Sequence, residues 1–225
     1  MSLPGDLSPF WLSVRVASAA TLLVVSIGTP VVLALARLRF PGKGLLAGVL
    51  MLPLVLPPTV LGFYLLQLIG RQAPLGQWLE NTLGITLVFH WTGAVVASAV
   101  AAFPLYLLPA RSAIEGVDQD LENVARLLGR GEVSVLFSVT LPLAWRGLAA
   151  GALLSFTRAL GDFGATLMVA GDIPGVTQTA SLAIYDAVQV QDSARATWLT
   201  VLVSVVSIVV LILVQRGLPG RQAAG

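Results

Sequence analysis

Cysteine is absent from the 225 residues, histidine occurs once and lysine once. Without thiols there is no disulfide framework and no thiol nucleophile, and His90 alone cannot build a zinc site of the usual Cys/His kind, so no metal is expected. The single lysine bears on nucleotides. A phosphate loop needs G-x-x-x-x-G-K-[ST], in which backbone amides cradle phosphate and the lysine reaches it. Here Lys43 is followed by Gly44, and Arg37 stands at the first-glycine position. No catalytic residue and no cofactor are therefore expected in this chain, and energy has to come from a partner or a gradient. Charge is scarce too: 11% of residues are charged and 56% hydrophobic, whereas ordinary globular domains are about a quarter charged. With a mean hydropathy of +0.89, a soluble enzyme is the poorest class for this chain. Lys+Arg 13 against Asp+Glu 11, beside so many apolar side chains, excludes disorder. Cations this sparse are topology signals and not a nucleic-acid surface, despite a pI near 9.5.

What is present is a series of long apolar runs. About 20 apolar residues cross a hydrocarbon core; residues 16–36 contain no charge, and neither do 45–69, although Pro53, Pro57 and Pro58 interrupt the second run. Further runs cover 85–108, 147–170 and 196–214, with Arg158 and Asp162 as the charges of the middle one. The chain is thus expected to be all-α, a polytopic membrane helix bundle forming one domain over 1–225. Its five spans are placed near 11–37, 45–69, 85–109, 147–170 and 196–215. Residues 133–145 are too few for a sixth span and carry Pro142 near their end, so they are expected to lie at the membrane interface. The opening MSLPGDLSPFW has no basic n-region, which makes the first span an expected anchor and not a cleaved signal.

Five spans put the termini on opposite sides. With the N-terminus outside, Arg37, Arg39, Lys43, Arg111, Arg126, Arg130, Arg146, Arg216 and Arg221 fall in or beside cytoplasmic segments, and only Arg15, Arg71 and Arg195 flank the outer face. Cytoplasmic loops carry the excess of Lys and Arg, so this orientation is the expected one.

The cytoplasmic segment 111–145 holds Glu115, Asp118, Asp120, Glu122, Arg126, Arg130 and Glu132. Within it Leu121, Val124, Ala125 and Leu128 recur at helical spacing, with acids before and cations late, in agreement with the helix dipole. Gly129 and Gly131 supply the stop. Such a short amphipathic helix either rests on the membrane or docks to a partner, and docking is preferred. The pattern Asn123-Val124-Ala125, three residues, Gly129, nine residues, Val139, one residue, Leu141-Pro142 resembles the E-A-A, x3, G, x9, I-x-L-P loop of ABC importer permeases. Asn123 and Val124 depart from that pattern, and Glu122 offers a neighbouring carboxylate. Phe40-Pro41-Gly42-Lys43, the 52–58 run LPLVLPP, Leu121-Glu122, and Arg158-Ala159-Leu160-Gly161-Asp162-Phe163-Gly164-Ala165-Thr166 are similar to molybdate permeases, with sulfate permeases as close relatives.

The resemblance implies a type I ABC importer permease in the cytoplasmic, inner membrane of a prokaryote. Two copies of this chain, a homodimer, would sit in lipid with two cytoplasmic ATPase subunits that bind ATP and Mg, and would receive a tetrahedral oxyanion from an external binding protein. The same loop becomes the ATPase-coupling element, comprising Glu122, Asn123, Val124, Ala125, Arg126, Leu128, Gly129, Leu141 and Pro142.

Pathway candidates come from the residues themselves. Pro57 and Pro58 remove backbone donors, and carbonyls so released must be satisfied in protein or in a water-filled cavity; Thr59 next to them offers a hydroxyl to an anion or to its own backbone. Arg158 and Asp162 share a helix face, either as a structural ion pair or with Arg158 as a stepping point screened by Asp162, and Thr166 closes the same motif. Intramembrane charge is costly enough to face inward. Gly147, Gly151, Gly161 and Gly164 permit close helix contact. Gln72, Gln77, Trp78, Glu80, Asn81, Asp172, Gln178, Tyr185, Asp186, Gln189, Gln191 and Asp192 form a polar outer platform or ordinary loops. Two rivals stay open: the same machine carrying sulfate or tungstate, and a secondary transporter or channel that works without an ATPase.

Overall fold

The structure, a computed structural model, describes residues 6–217. Arg221, counted above among the cytoplasmic cations, lies outside the described residues. The chain is helical throughout, with no strand among the described residues: α1 (Ser8–Arg37), α2 (Lys43–Val55), α3 (Pro58–Ile69), α4 (Pro74–Leu83), α5 (Trp91–Glu115), α6 (Gln119–Leu127), α7 (Glu132–Val135), a wide π-helical turn (Leu136–Thr140), α8 (Leu141–Leu160), α9 (Gly164–Ala170), α10 (Ala180–Gln189) and α11 (Ser193–Gly217). Four stretches are long and apolar enough to cross a membrane, and the bent pair α2–α3 is so only when its two helices are taken together, as a broken span or a re-entrant loop.

α5 is the central post, with α1 and α8 against it. Its buried face is rich in alanine, including Ala94, Ala97, Ala101, Ala102 and Ala110, and small residues let helix backbones approach where lipid supplies no hydrophobic drive. Polar joints lock the three helices: the Thr29 and Tyr106 hydroxyls are 2.6 Å apart, and Ser155 Oγ donates to the Ala102 carbonyl at 3.2 Å. At Gly147 the approach is closest, because a Cβ there would collide with the Ala113 side chain and lie 3.0 Å from the Pro109 carbonyl. Gly147→Val is accordingly expected to cost about 1–3 kcal/mol through overpacking. A detergent melt measures this, and an unchanged midpoint would count against the packing described.

The helix boundaries depart from those expected at several places. The 45–69 span is two helices whose axes differ by 120°. Leu56, before Pro57, is extended (φ −69°, ψ 139°), as a residue preceding proline prefers. The third helix begins at Trp91, six residues later than expected, because Phe89 has φ 59° and the His90 side chain caps Thr92 N. It then runs on to Glu115, where Arg111 Nε donates to Glu115 Oε1 at 2.7 Å across one turn. The fourth helix starts at Glu132 and continues to Leu160, so 133–145 is continuous with the first part of the expected fourth span. Pro142 is tolerated there because the π turn precedes it, with Leu141 N bonded to the Leu136 carbonyl; a wider turn relieves the clash that proline makes with the carbonyl four residues back. At its far end the helix stops at Leu160, and α9 carries 164–170 as a separate piece. Of the expected segment 111–145, only 116–131 lies between the long helices, as α6 with two short links; 111–115 ends α5 and 132–145 begins the fourth long helix.

Candidate functional site

The two broken helices meet. A Cβ on Gly164 would lie 2.8 Å from Pro58 Cβ, and one on Gly62 would lie 2.6 Å from Met168 Cβ, so α3 and α9 begin side by side and pack along their length. Asp162 holds this junction together. Its side chain is 1% exposed, and Oδ1 accepts from Arg158 Nη1 at 3.0 Å. Oδ2 accepts from Thr166 N at 3.0 Å and from Thr166 Oγ1 at 2.7 Å, capping α9, while Thr166 Oγ1 also lies 3.3 Å from Ser98 Oγ on α5. The pairing of Arg158 with Asp162 is thus present, but Asp162 and Thr166 are buried inside protein and spend their bonds on structure. Arg158 differs, with 29% of its side chain exposed. Pro57, Pro58 and Thr59 are exposed, and the Thr59 hydroxyl makes no hydrogen bond within the described residues.

At the other end of the bundle, Asp118 caps α6, its Oδ1 accepting from Asp120 N at 2.9 Å. Gly129 takes φ +81°, the left-handed conformation that ends helices, and Arg130 N reaches back to the Ala125 carbonyl at 3.1 Å. The helix is amphipathic in an unusual sense. Leu121, Val124, Leu127 and Leu128 are 50%, 53%, 87% and 78% exposed, while Glu122 is 4% exposed. The stripe read from the sequence is not one face toward the bundle: Ala125 turns inward, and the larger apolar side chains turn out. Glu122 is not offered to a partner as a surface carboxylate. Its Oε1 accepts from Arg37 Nη2 at 2.6 Å and from Thr140 Oγ1 at 2.7 Å. Arg126 lies on the surface, where it donates to Asn123 Oδ1 at 2.9 Å and to Glu132 Oε1 at 2.7 Å. Leu141 and Pro142 stand at the start of α8, part-buried and exposed respectively.

A model of the family described as "Binding-protein-dependent transport system inner membrane component" matches residues 21–221. The chain belongs to this family. Among curated proteins, the molybdenum transport system permease protein ModB of Escherichia coli (strain K12) is 42% identical over 216 residues, covering 95% of this chain and 94% of that protein. The protein of the same name from Haemophilus influenzae is 40% identical over 207 residues, with 90% of each chain covered. That from Azotobacter vinelandii is 42% identical over 195 residues, with 86% of each covered.

In this inner membrane component, the end opposite α6 carries the polar platform on α4, α10 and the loop between α9 and α10. Trp78 and Tyr185 are 54% and 49% exposed. Gln178 is not part of that surface, since it is buried and accepts from Arg195 Nη2 at 3.5 Å. Burial pushes the Asp172 carboxyl above its usual range, and the nearby Asp186 adds to the effect. Ser13 Oγ accepts from Ala180 N at 2.7 Å, tying α10 to α1. Three hydrogen-bond partners of the candidate residues escaped the sequence. Arg37 counted there only as a topology cation, and Ser98 and Thr140 had no pattern around them to mark them out. Arg37 and Thr140 are 85 and 18 residues from Glu122, separations that no periodicity reports.

Proposed function

We propose that this chain is the permease subunit of an ATP-driven importer that carries molybdate inward by alternating access. The observation that carries the coupling is the outward-turned α6. Four large apolar side chains exposed on a nine-residue helix and its C-cap are unexplained by the chain's own fold, and they match a helix-in-groove partner surface. That partner is the ATPase, which binds ATP and Mg and whose closure displaces α6. Asn123, Val124, Arg126, Leu128 and Gly129 belong to the docking surface, with Leu127 added. Two copies of the chain assemble in lipid with two ATPase subunits, the N-terminus outside and the platform of α4 and α10 toward an external binding protein.

The anion is taken from the names of the relatives described above, which are molybdenum permeases. Along its route, Arg158 presents a cation beside the junction of the two broken helices. Asp162 neutralises it in part, so a dianion is attracted without being trapped. Thr59 offers a hydroxyl at the adjacent break, where Pro57 and Pro58 leave carbonyls without amide partners. The rivals for the cargo are sulfate and tungstate, which share its tetrahedral geometry.

Reconstitution tests this function directly. Liposomes holding the permease, its ATPase and the binding protein should accumulate molybdate only with ATP and all three components, and Arg158→Ala should slow uptake while leaving the assembly intact. Anion flux from the permease alone would establish the gradient-driven rival, and uptake of sulfate in preference to molybdate would change the cargo.

A further inference from the structure

Glu122 occupies the one buried position on α6 that reaches two other helices. Its side chain is 5% exposed, and a single oxygen, Oε1, accepts from both Arg37 Nη2 and Thr140 Oγ1. Arg37 is the last residue of α1, where a cation is favoured by the helix carbonyls. Thr140 is buried and closes the π turn directly ahead of α8. α1 and α8 both pack on α5, so this one carboxylate ties α6 to the two helices that flank the central post. The other side-chain tie from α6 to a neighbouring element is Arg126 to Glu132, which is solvent-exposed on both sides, at 38% and 75%, and exposed ion pairs are weak and screened. A charge-assisted bond in a buried setting is short and stiff.

We propose that Glu122 is a positioning residue that transmits displacement of α6 into α1 and α8. The outward leucines bind the partner, and the inward carboxylate carries the motion to the bundle. The π turn sits where that motion arrives, and π turns inside helices are frequently found at functional positions. This inference rests on α6 being the ATPase docking helix, but it predicts something docking alone does not. A residue on a different helix, Arg37 at the end of α1, governs how much transport each ATP yields.

The experiment uses the reconstituted importer and reads molybdate uptake and ATP hydrolysis separately. Arg37→Gln and Thr140→Val lie off α6, so the ATPase should still co-purify with both and hydrolyse ATP at a rate within about twofold of wild type. Loss of a hydrogen bond to a charged group should lower anions moved per ATP about tenfold in Arg37→Gln, and less in Thr140→Val, while Arg37→Lys should recover much of the ratio. Combining Arg37→Gln with Glu122→Gln should be no worse than either change alone, because both break the same joint. Uptake and hydrolysis falling in parallel, an unchanged ratio, or additive losses would each overturn the proposal. If the wild-type chain recruits no ATPase at all, it is the importer function that fails, and the two failures are told apart.

Discussion

An importer carrying Leu127→Asp together with Leu128→Asp is expected to lose its ATPase. These are the two most exposed leucines of α6, at 87% and 78%, and the fold spends neither on its own core. Burying a leucine in a partner groove contributes about 1.5–3 kcal/mol, so removing both costs about 3–6 kcal/mol, or about 10²–10⁴ in affinity. The introduced carboxylates add desolvation to that loss. The permease itself should melt within about 0.5 kcal/mol of wild type, as surface substitutions do. Pull-down of the ATPase and uptake in liposomes give the readout. Retention of both would mean that α6 lies on lipid and that its leucines face acyl chains.

Asp162→Ala should destabilise the chain more than any other single change at the junction. It removes the acceptor for Thr166 N and Oγ1, which uncaps α9, and leaves the Arg158 guanidinium without its partner. Breaking a buried pair from one side costs about 3–5 kcal/mol, with the lower figure apt here because Arg158 is partly exposed. Asp162→Asn keeps an acceptor for Thr166 and should cost less. Arg158→Ala, by contrast, leaves the α9 cap in place, so uptake should fall further than stability does. A thermal melt beside an uptake assay separates the two roles. If Asp162→Ala melts within about 1 kcal/mol of wild type, the junction is not held as described.

Much of this was legible in the sequence because scarcity concentrates meaning. With few charges to place, those near residue 120 marked α6, the acids leading and the cations trailing, and Gly129 announced its end by capping chemistry alone. The Arg158 and Asp162 pair followed from spacing of four. What stayed hidden depended on three dimensions. Glu122 looked like a surface carboxylate, and only the fold turns it toward Arg37. The fourth long helix was cut short on paper because Pro142 reads as a breaker, and a π turn that absorbs it leaves no trace in periodicity. The meeting of Pro58 with Gly164 joins breaks that are more than 100 residues apart.

The bond between Arg37 and Glu122 also has an order in time. At synthesis rates of about 5–20 residues per second, the 85 residues between them take roughly 4–17 s to emerge. Throughout that interval Arg37 has no carboxylate waiting for it, and it stands at the end of the first hydrophobic helix as a bare cation. It is then that the orientation of a nascent helix responds to flanking positive charge. One guanidinium is therefore available first as a flanking charge of the nascent helix and only afterwards as the partner of Glu122.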